Sequence, residues 1–313
     1  MKTVFMFSGQ GAQYAGMGKD LYENYAVAKE VFDRADEVLG YSIKDICFSD
    51  EEKLGLTEFT QPAILTMSIA AMKVLQENGI NADMTAGLSL GEYSALVASG
   101  AMKFEEAVAL VQKRGKFMSE AVPAGKGGMF AIIGLDTALV EKACEEAVKE
   151  VGGVAVPANY NAPGQIVIAG KTEAVAKAAE LAKEKGAKLA VKLKVSGPFH
   201  TSLLQPASDK LKPELEKLHI SDMKVPVYTN VNAQIVADKD DIIPILTKQI
   251  CCPVRWADII RNMNEQGADT FIELGPGKAL TGFVKRTLKG VNILNVEDLS
   301  SLDKTMNKLH EIV

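Results

Sequence analysis

The chain is poor in several things that would otherwise fix a function class. It has three histidines in 313 residues, so a general base has few candidates. It has four cysteines, Cys47, Cys144, Cys251 and Cys252, and none stands at a metal-ligand spacing. An adjacent pair such as Cys251-Cys252 closes poorly around one ion, so no metal is expected, and the thiols read as reduced. Positive charge is not in excess: the net charge of −5 argues against nucleic-acid or anionic-membrane binding by bulk attraction. No long apolar run exists either. The longest uncharged apolar-rich stretch, residues 59–72, is too short to span a bilayer, and the opening Val4–Phe7 run is too short for a targeting segment. Repeats and low-complexity tracts are also missing. The expectation is a cytoplasmic globular protein, 47% hydrophobic and 24% charged.

What is present centres on Met84-Thr85-Ala86-Gly87-Leu88-Ser89-Leu90-Gly91-Glu92. This reads as a buried strand, a Gly-x-Ser-x-Gly turn and a small-residue helix from Tyr93 to Ala101. In that context the serine sits on a sharp elbow with its hydroxyl clear of the backbone. The flanking glycines admit close neighbours, and the helix N-terminus favours developing negative charge. An ordinary strand-to-helix turn is the plain alternative. The strand-turn-helix setting favours a nucleophilic Ser89, and with it acyl transfer.

Strand-like runs at Val4–Phe7, Met84–Leu88, Val227–Val231, Thr270–Leu274 and Ile293–Val296 alternate with amphipathic segments such as Phe104–Ala121, Ile242–Ile250 and Trp256–Gln266. The alternation predicts an α/β fold, a hydrolase-like parallel sheet with helices on both faces. Ligands of such folds lie beyond the carboxyl ends of the strands, where Ser8-Gly9-Gln10-Gly11 and Ser89 could share one edge. Between residues 125 and 195 the rhythm changes to β-α-β-β-α-β, a ferredoxin-like unit. The expected division is a large catalytic domain, 1–124 and 196–313, with a small domain, 125–195, inserted in it. Hinges are expected at the Gly-rich stretch Ala124–Gly128 and at Ser196-Gly197-Pro198.

A serine hydroxyl needs a base, most often histidine. His310 falls near the end of a surface helix, and His219 closes a helix read as Leu211–Leu218, where it would answer the helix dipole. His200, in the turn Gly197-Pro198-Phe199-His200-Thr201 at the domain junction, is the remaining candidate. In the helix Phe104–Ala121, Arg114 falls within the apolar arc of Phe104, Ala107, Val108, Leu110, Val111, Met118 and Ala121. An arginine there must snorkel, pair with a buried carboxylate or await an anionic ligand. A structural salt bridge and a substrate anchor both satisfy that position.

The motifs, taken in order, resemble those of bacterial malonyl-coenzyme A:acyl carrier protein transacylases, and more broadly the acyltransferase domains of fatty acid and polyketide synthases. They are Gly9-Gln10-Gly11-Ala12-Gln13, Thr60-Gln61-Pro62, Gly87-Leu88-Ser89-Leu90-Gly91-Glu92, Gln112-Lys113-Arg114-Gly115, Asn159-Tyr160-Asn161-Ala162-Pro163-Gly164-Gln165, Gly197-Pro198-Phe199-His200, Gln249–Trp256 and Glu273-Leu274-Gly275-Pro276-Gly277. The resemblance covers nearly the whole chain. One departure stands out: Leu88 occupies the place where many members carry a histidine, which is not the base.

The resemblance implies Ser89 as nucleophile, His200 as base and Gln249 as the residue orienting that histidine. It implies the backbone N–H groups of Gln10 and Leu90 as oxyanion hole. Arg114 would pair with the free carboxylate of malonate, Phe199 would accompany malonyl rather than methylmalonyl selection, and Asn161 would face the acyl cleft. The implied partners are malonyl-CoA and acyl carrier protein, with no nucleic acid and no membrane. No cofactor is expected, because malonyl-CoA is a substrate and the phosphopantetheine arrives on the carrier. Lys192 with Lys194, and Lys285 with Arg286, are candidates for meeting an acidic carrier. The rival readings are a trans-acting acyltransferase of a polyketide assembly line, a serine thioesterase or esterase, and a non-enzymatic carrier-docking module.

Overall fold

The computed structural model of the chain describes residues 1–123, 125–195 and 197–312. Five parallel strands form the larger sheet: β1 (Thr3–Phe7), β2 (Met84–Gly87), β7 (Val227–Tyr228), β8 (Thr270–Leu274) and β9 (Asn292–Val296), in the order β7-β2-β1-β8-β9. All five residues of β1 are buried, as expected of a central parallel strand covered on both faces. The period of two divides them. Phe5 and Phe7 join a core with the helix Thr57–Glu77, while Val4 and Met6 join Trp256, Ile259 and Met263 of the helix Trp256–Glu265. Each such side chain contributes about 1.5–3 kcal/mol of apolar burial. The apolar stretch 59–72 lies inside Thr57–Glu77, a helix buried almost all round. No helix of the described residues is long and apolar enough to cross a membrane.

The second sheet is antiparallel: β3 (Gly127–Ile133), β4 (Ala155–Ala162), β5 (Gln165–Lys171) and β6 (Leu189–Lys192), in the order β4-β5-β3-β6. With the helices Thr137–Val151 and Thr172–Glu184 it makes the predicted β-α-β-β-α-β unit. Ile132, Ile166 and Ile168 pack with those helices in a core of their own. The opposite face, with Met129, Ala131 and Val167, looks onto a cleft against the larger sheet. The division into 1–124 plus 196–313 and an inserted 125–195 is our reading of these two sheets; the boundary residues Ala124 and Ser196 lie outside the described residues.

Two expectations shift. β7 ends at Tyr228 rather than at residue 231, because Asn230 leaves the sheet and donates its backbone N–H to the carboxylate of Glu92 at 3.0 Å. The helix before His219 runs Gln205–Leu215 and stops short of the histidine. The chain turns away there, and Ser221 N–H bonds the carbonyl of Ala101 at 2.9 Å, so His219 lies beyond the helix end rather than closing it.

Candidate active site

β1, β2 and β8 run in register, with Phe7 beside Gly87 and Leu274, so all three end at one edge. The turn after Gly87 is the elbow. Ser89 has φ 53°, a left-handed conformation that costs a non-glycine residue about 1–3 kcal/mol. The surroundings impose it. Ser89 N–H donates to Asn230 Oδ1 at 2.6 Å, and the Ser89 carbonyl accepts from Gln249 Nε2 at 2.9 Å. Gly87 and Gly91 bracket the serine; a Cβ on Gly87 would overlap the Gly91 backbone, and one on Gly91 would overlap the carbonyl of Phe7. The helix Gly91–Ser99 starts directly behind.

His200 also has a positive φ, 60°, and is 3% exposed. Its Nε2 lies 2.8 Å from Ser89 Oγ, and its Nδ1 lies 2.9 Å from the Gln249 carbonyl and 3.1 Å from that of Cys252. Carbonyls only accept, so the network assigns the proton to Nδ1 and leaves Nε2 free to accept from the serine. Burial first, and then the charge of Arg114, push the imidazole down to about 4, so it is neutral at pH 7. The main chain of Gln249, not its side chain, orients the ring. His310 is exposed on the helix Leu299–Ile312, and neither it nor His219 lines the cleft.

Arg114 is wholly buried. Its Nη1 donates to Gln61 Oε1 at 2.8 Å, and its Nη2 donates to Gln249 Oε1 at 3.0 Å and to Ser89 Oγ at 3.2 Å. Its guanidinium carbon sits 5.3 Å from the Tyr93 ring centroid. Among the described residues no carboxylate forms an ion pair with it. The salt-bridge alternative therefore lacks its partner, and the guanidinium faces a cleft of about 300 Å³.

That cleft is lined by Gln10, Ser89, Asn161, Phe199 and His200 as well as Arg114. The β4–β5 ladder shifts register between Tyr160 and Ala162, and Asn161 Oδ1 between them is buried without a partner among the described residues. Leu88 lines the cleft beside Leu280 and Phe283, an apolar wall where a histidine would be polar. Gln10 and Leu90 have backbone N–H groups that no described acceptor takes, at the carboxyl end of β1 and at the helix start. Among the described residues no group of three or more His, Cys, Asp or Glu could hold a metal. Sequence reasoning gave no role to Gln61, Glu92 and Asn230. The first two lie in motifs already noted, but Asn230 carries no local signal, because its contacts span 141 and 138 residues of chain.

A profile of the acyl transferase domain matches residues 4–310. The malonyl CoA-acyl carrier protein transacylase of Bacillus subtilis (strain 168) is 47% identical over 311 residues, 99% of this chain and 98% of its own. The crystal structure of the protein of the same name from Clostridium perfringens superposes with a TM-score of 0.96 at 50% identity, covering 100% of this chain and 98% of the other. A malonyl-transacylase solved in complex with its type II PKS acyl-carrier protein superposes with a TM-score of 0.95 at 41% identity, covering 98% of this chain and all of the other. The chain is an acyltransferase: it belongs to the acyl transferase domain family and, within it, to the malonyl CoA-acyl carrier protein transacylases.

Proposed function

We propose that the protein transfers the malonyl group of malonyl-CoA to the phosphopantetheine thiol of acyl carrier protein, through a malonyl ester of Ser89, in supply of fatty acid synthesis. The observation that carries this reading is a wholly buried guanidinium, without a carboxylate of its own, hydrogen-bonded to the hydroxyl that the histidine also holds. Ser89 Oγ attacks the thioester carbonyl as its proton passes to His200 Nε2. The oxyanion forms between the N–H groups of Gln10 and Leu90, each such donor being worth roughly 3 kcal/mol in the transition state. The imidazolium is supported by two backbone carbonyls on Nδ1 and returns its proton to the departing thiolate of coenzyme A. The carrier thiol then repeats the sequence in reverse. Arg114 receives the free malonyl carboxylate through its planar fork. Asn161 and Phe199 shape the acyl cleft from the side of the small sheet.

No metal, cofactor, nucleic acid or membrane has a part in this scheme. The type II PKS complex among the similar structures supports a polyketide carrier as a second acceptor. The serine hydrolase reading is disfavoured because the base has carbonyls, not a carboxylate, behind it. Incubation with malonyl-CoA alone is expected to add one malonyl mass to the peptide bearing Ser89. Ser89→Ala is expected to take up none, and undiminished labelling of that variant would refute the assignment. Assays with fatty acid and polyketide carriers then rank the acceptors.

A further inference from the structure

Arg114 poses a problem of charge. A cation removed from water costs several kcal/mol unless something negative answers it. Its hydrogen-bond acceptors, Gln61 Oε1, Gln249 Oε1 and Ser89 Oγ, are all neutral, and its Nε has no partner among the described residues. The carboxylate that acts on it is one residue removed. The Gln249 side-chain amide turns its oxygen to Arg114 and donates from Nε2 to Glu92 Oε2 at 2.8 Å. The amide cannot be reversed, because the guanidinium only donates and the carboxylate only accepts. The same Glu92 oxygen accepts from Asn230 N–H at 3.0 Å, and Asn230 Oδ1 holds Ser89 N–H. Glu92 is 1% exposed and belongs to no ion pair among the described residues. It stands at the root of two chains, one leading to Arg114 and the other to the nucleophile.

We propose that Glu92 is a positioning residue and exchangeable counter-charge: its carboxylate answers Arg114 through Gln249 while the cleft is empty, and it takes up a proton when the substrate's carboxylate docks on that guanidinium. The inference rests on the reading of Arg114 as the carboxylate anchor. Two carboxylates sharing one buried guanidinium raise each other's affinity for a proton. Burial already lifts the Glu92 carboxyl to about 7, against the lowering influence of Gln249, Asn230 and Arg114. Both hydrogen bonds to Glu92 land on one oxygen, so protonation of the other leaves the geometry in place. The remaining ionisable groups around it stay silent near pH 8. Tyr93 is pushed up to about 12 and His200 down to about 4, both chiefly by burial. Glu273, raised to about 7 beneath Leu280 and Thr281, lines the same cleft and is the one group to control for.

The test is proton uptake at pH 8 in weak buffer with an indicator dye, on mixing the whole enzyme with malonyl-CoA. Wild type and Glu273→Gln are expected to approach one proton per malonyl-serine formed, and Glu92→Gln, which keeps the shape and loses the charge, none. In parallel, kcat/KM for malonyl-CoA in wild type should fall above pH 7 with a slope approaching tenfold per pH unit, and Glu92→Gln should be flat. No uptake by wild type, or equal uptake by Glu92→Gln, overturns the proposal. Should Glu92→Gln fail to fold, the wild-type and Glu273→Gln measurements still decide it, since uptake lost in Glu273→Gln would assign the proton elsewhere. An Arg114→Ala variant with an unchanged malonyl-to-acetyl preference would instead bring down the anchor reading beneath it.

Discussion

A single guanidinium does two things to its neighbours. On the proposed reading it receives a substrate carboxylate, and its charge depresses His200. Arg114→Ala separates them. The malonyl-to-acetyl ratio of specificity constants is expected to fall by roughly 100-fold or more, because acetyl would leave the wild-type guanidinium buried and unpaired. Arg114→Lys should restore only part of the loss, since an ammonium lacks the fork. The pH dependence follows from the histidine. In the proposed scheme its neutral form is the base, so activity of the free enzyme is expected to persist as pH falls and to be lost through about pH 4. Removing the nearby cation raises the imidazole toward its ordinary value, so the acid limb of acetyl transfer by Arg114→Ala should move upward. A limb that stays near 4 would leave burial as the sole cause. His200→Ala should lower the rate about 10³-fold or more, while His219→Ala and His310→Ala, whose side chains lie away from the cleft, should leave it unchanged.

At the scale of elements, the elbow is a backbone device. Strand β2 and the helix Gly91–Ser99 meet at a distance only two glycines allow, and the strained serine between them is gripped by side chains from elsewhere in the fold. Gly91→Ala is therefore expected to cost about 3 kcal/mol or more, because the atom displaced is the Phe7 carbonyl of the central strand, not a mobile side-chain tip. A thermal melt should show a drop of roughly 5–10 °C. A melt unchanged from wild type would mean that the elbow relaxes more easily than this packing implies. Asn230→Ala is a milder counterpart: it deletes the acceptor for Ser89 N–H and the donor to the Gly87 carbonyl, so kcat should suffer while the sheet survives. Circular dichroism beside the malonylation rate would separate the two.

At the scale of the molecule, the cleft is a seam between two sheets, and a carrier protein must reach it from outside. Leu193 and Val195 line the cleft, while Lys192 and Lys194 alternate with them and are exposed. On the opposite wall Leu280 and Phe283 line the cleft, and Lys285 and Arg286 are exposed in the last turn of the same helix. Two exposed basic pairs thus adjoin cleft-lining residues along the chain of a protein whose net charge is −5. Reversing the charge of either pair is expected to raise KM for carrier protein several-fold and to leave KM for malonyl-CoA unchanged, with the effect shrinking as salt is added. Equal changes for both substrates would argue against a docking surface.

The sequence by itself determined the alternation of strands and helices, the β-α-β-β-α-β insert, the elbow at Ser89 and the anomaly of an arginine on an apolar helix arc. Those are local signals: a period of two or 3.6, a pair of glycines, one charge out of place. Elimination singled out His200 because the chain has few histidines. Only the tertiary structure decided what could not be local. It put Arg114 against Ser89 Oγ without a carboxylate beside it, which composition left open between bridge and anchor. It assigned the support of His200 to main-chain carbonyls and the side chain of Gln249 to Arg114 and Glu92, two tasks the motif could not separate. It shortened β7 so that Asn230 could hold the nucleophile from 141 residues away. Periodicity reports which face of an element is buried, whereas the partner a buried polar group finds depends on which distant segments the folded core brings together.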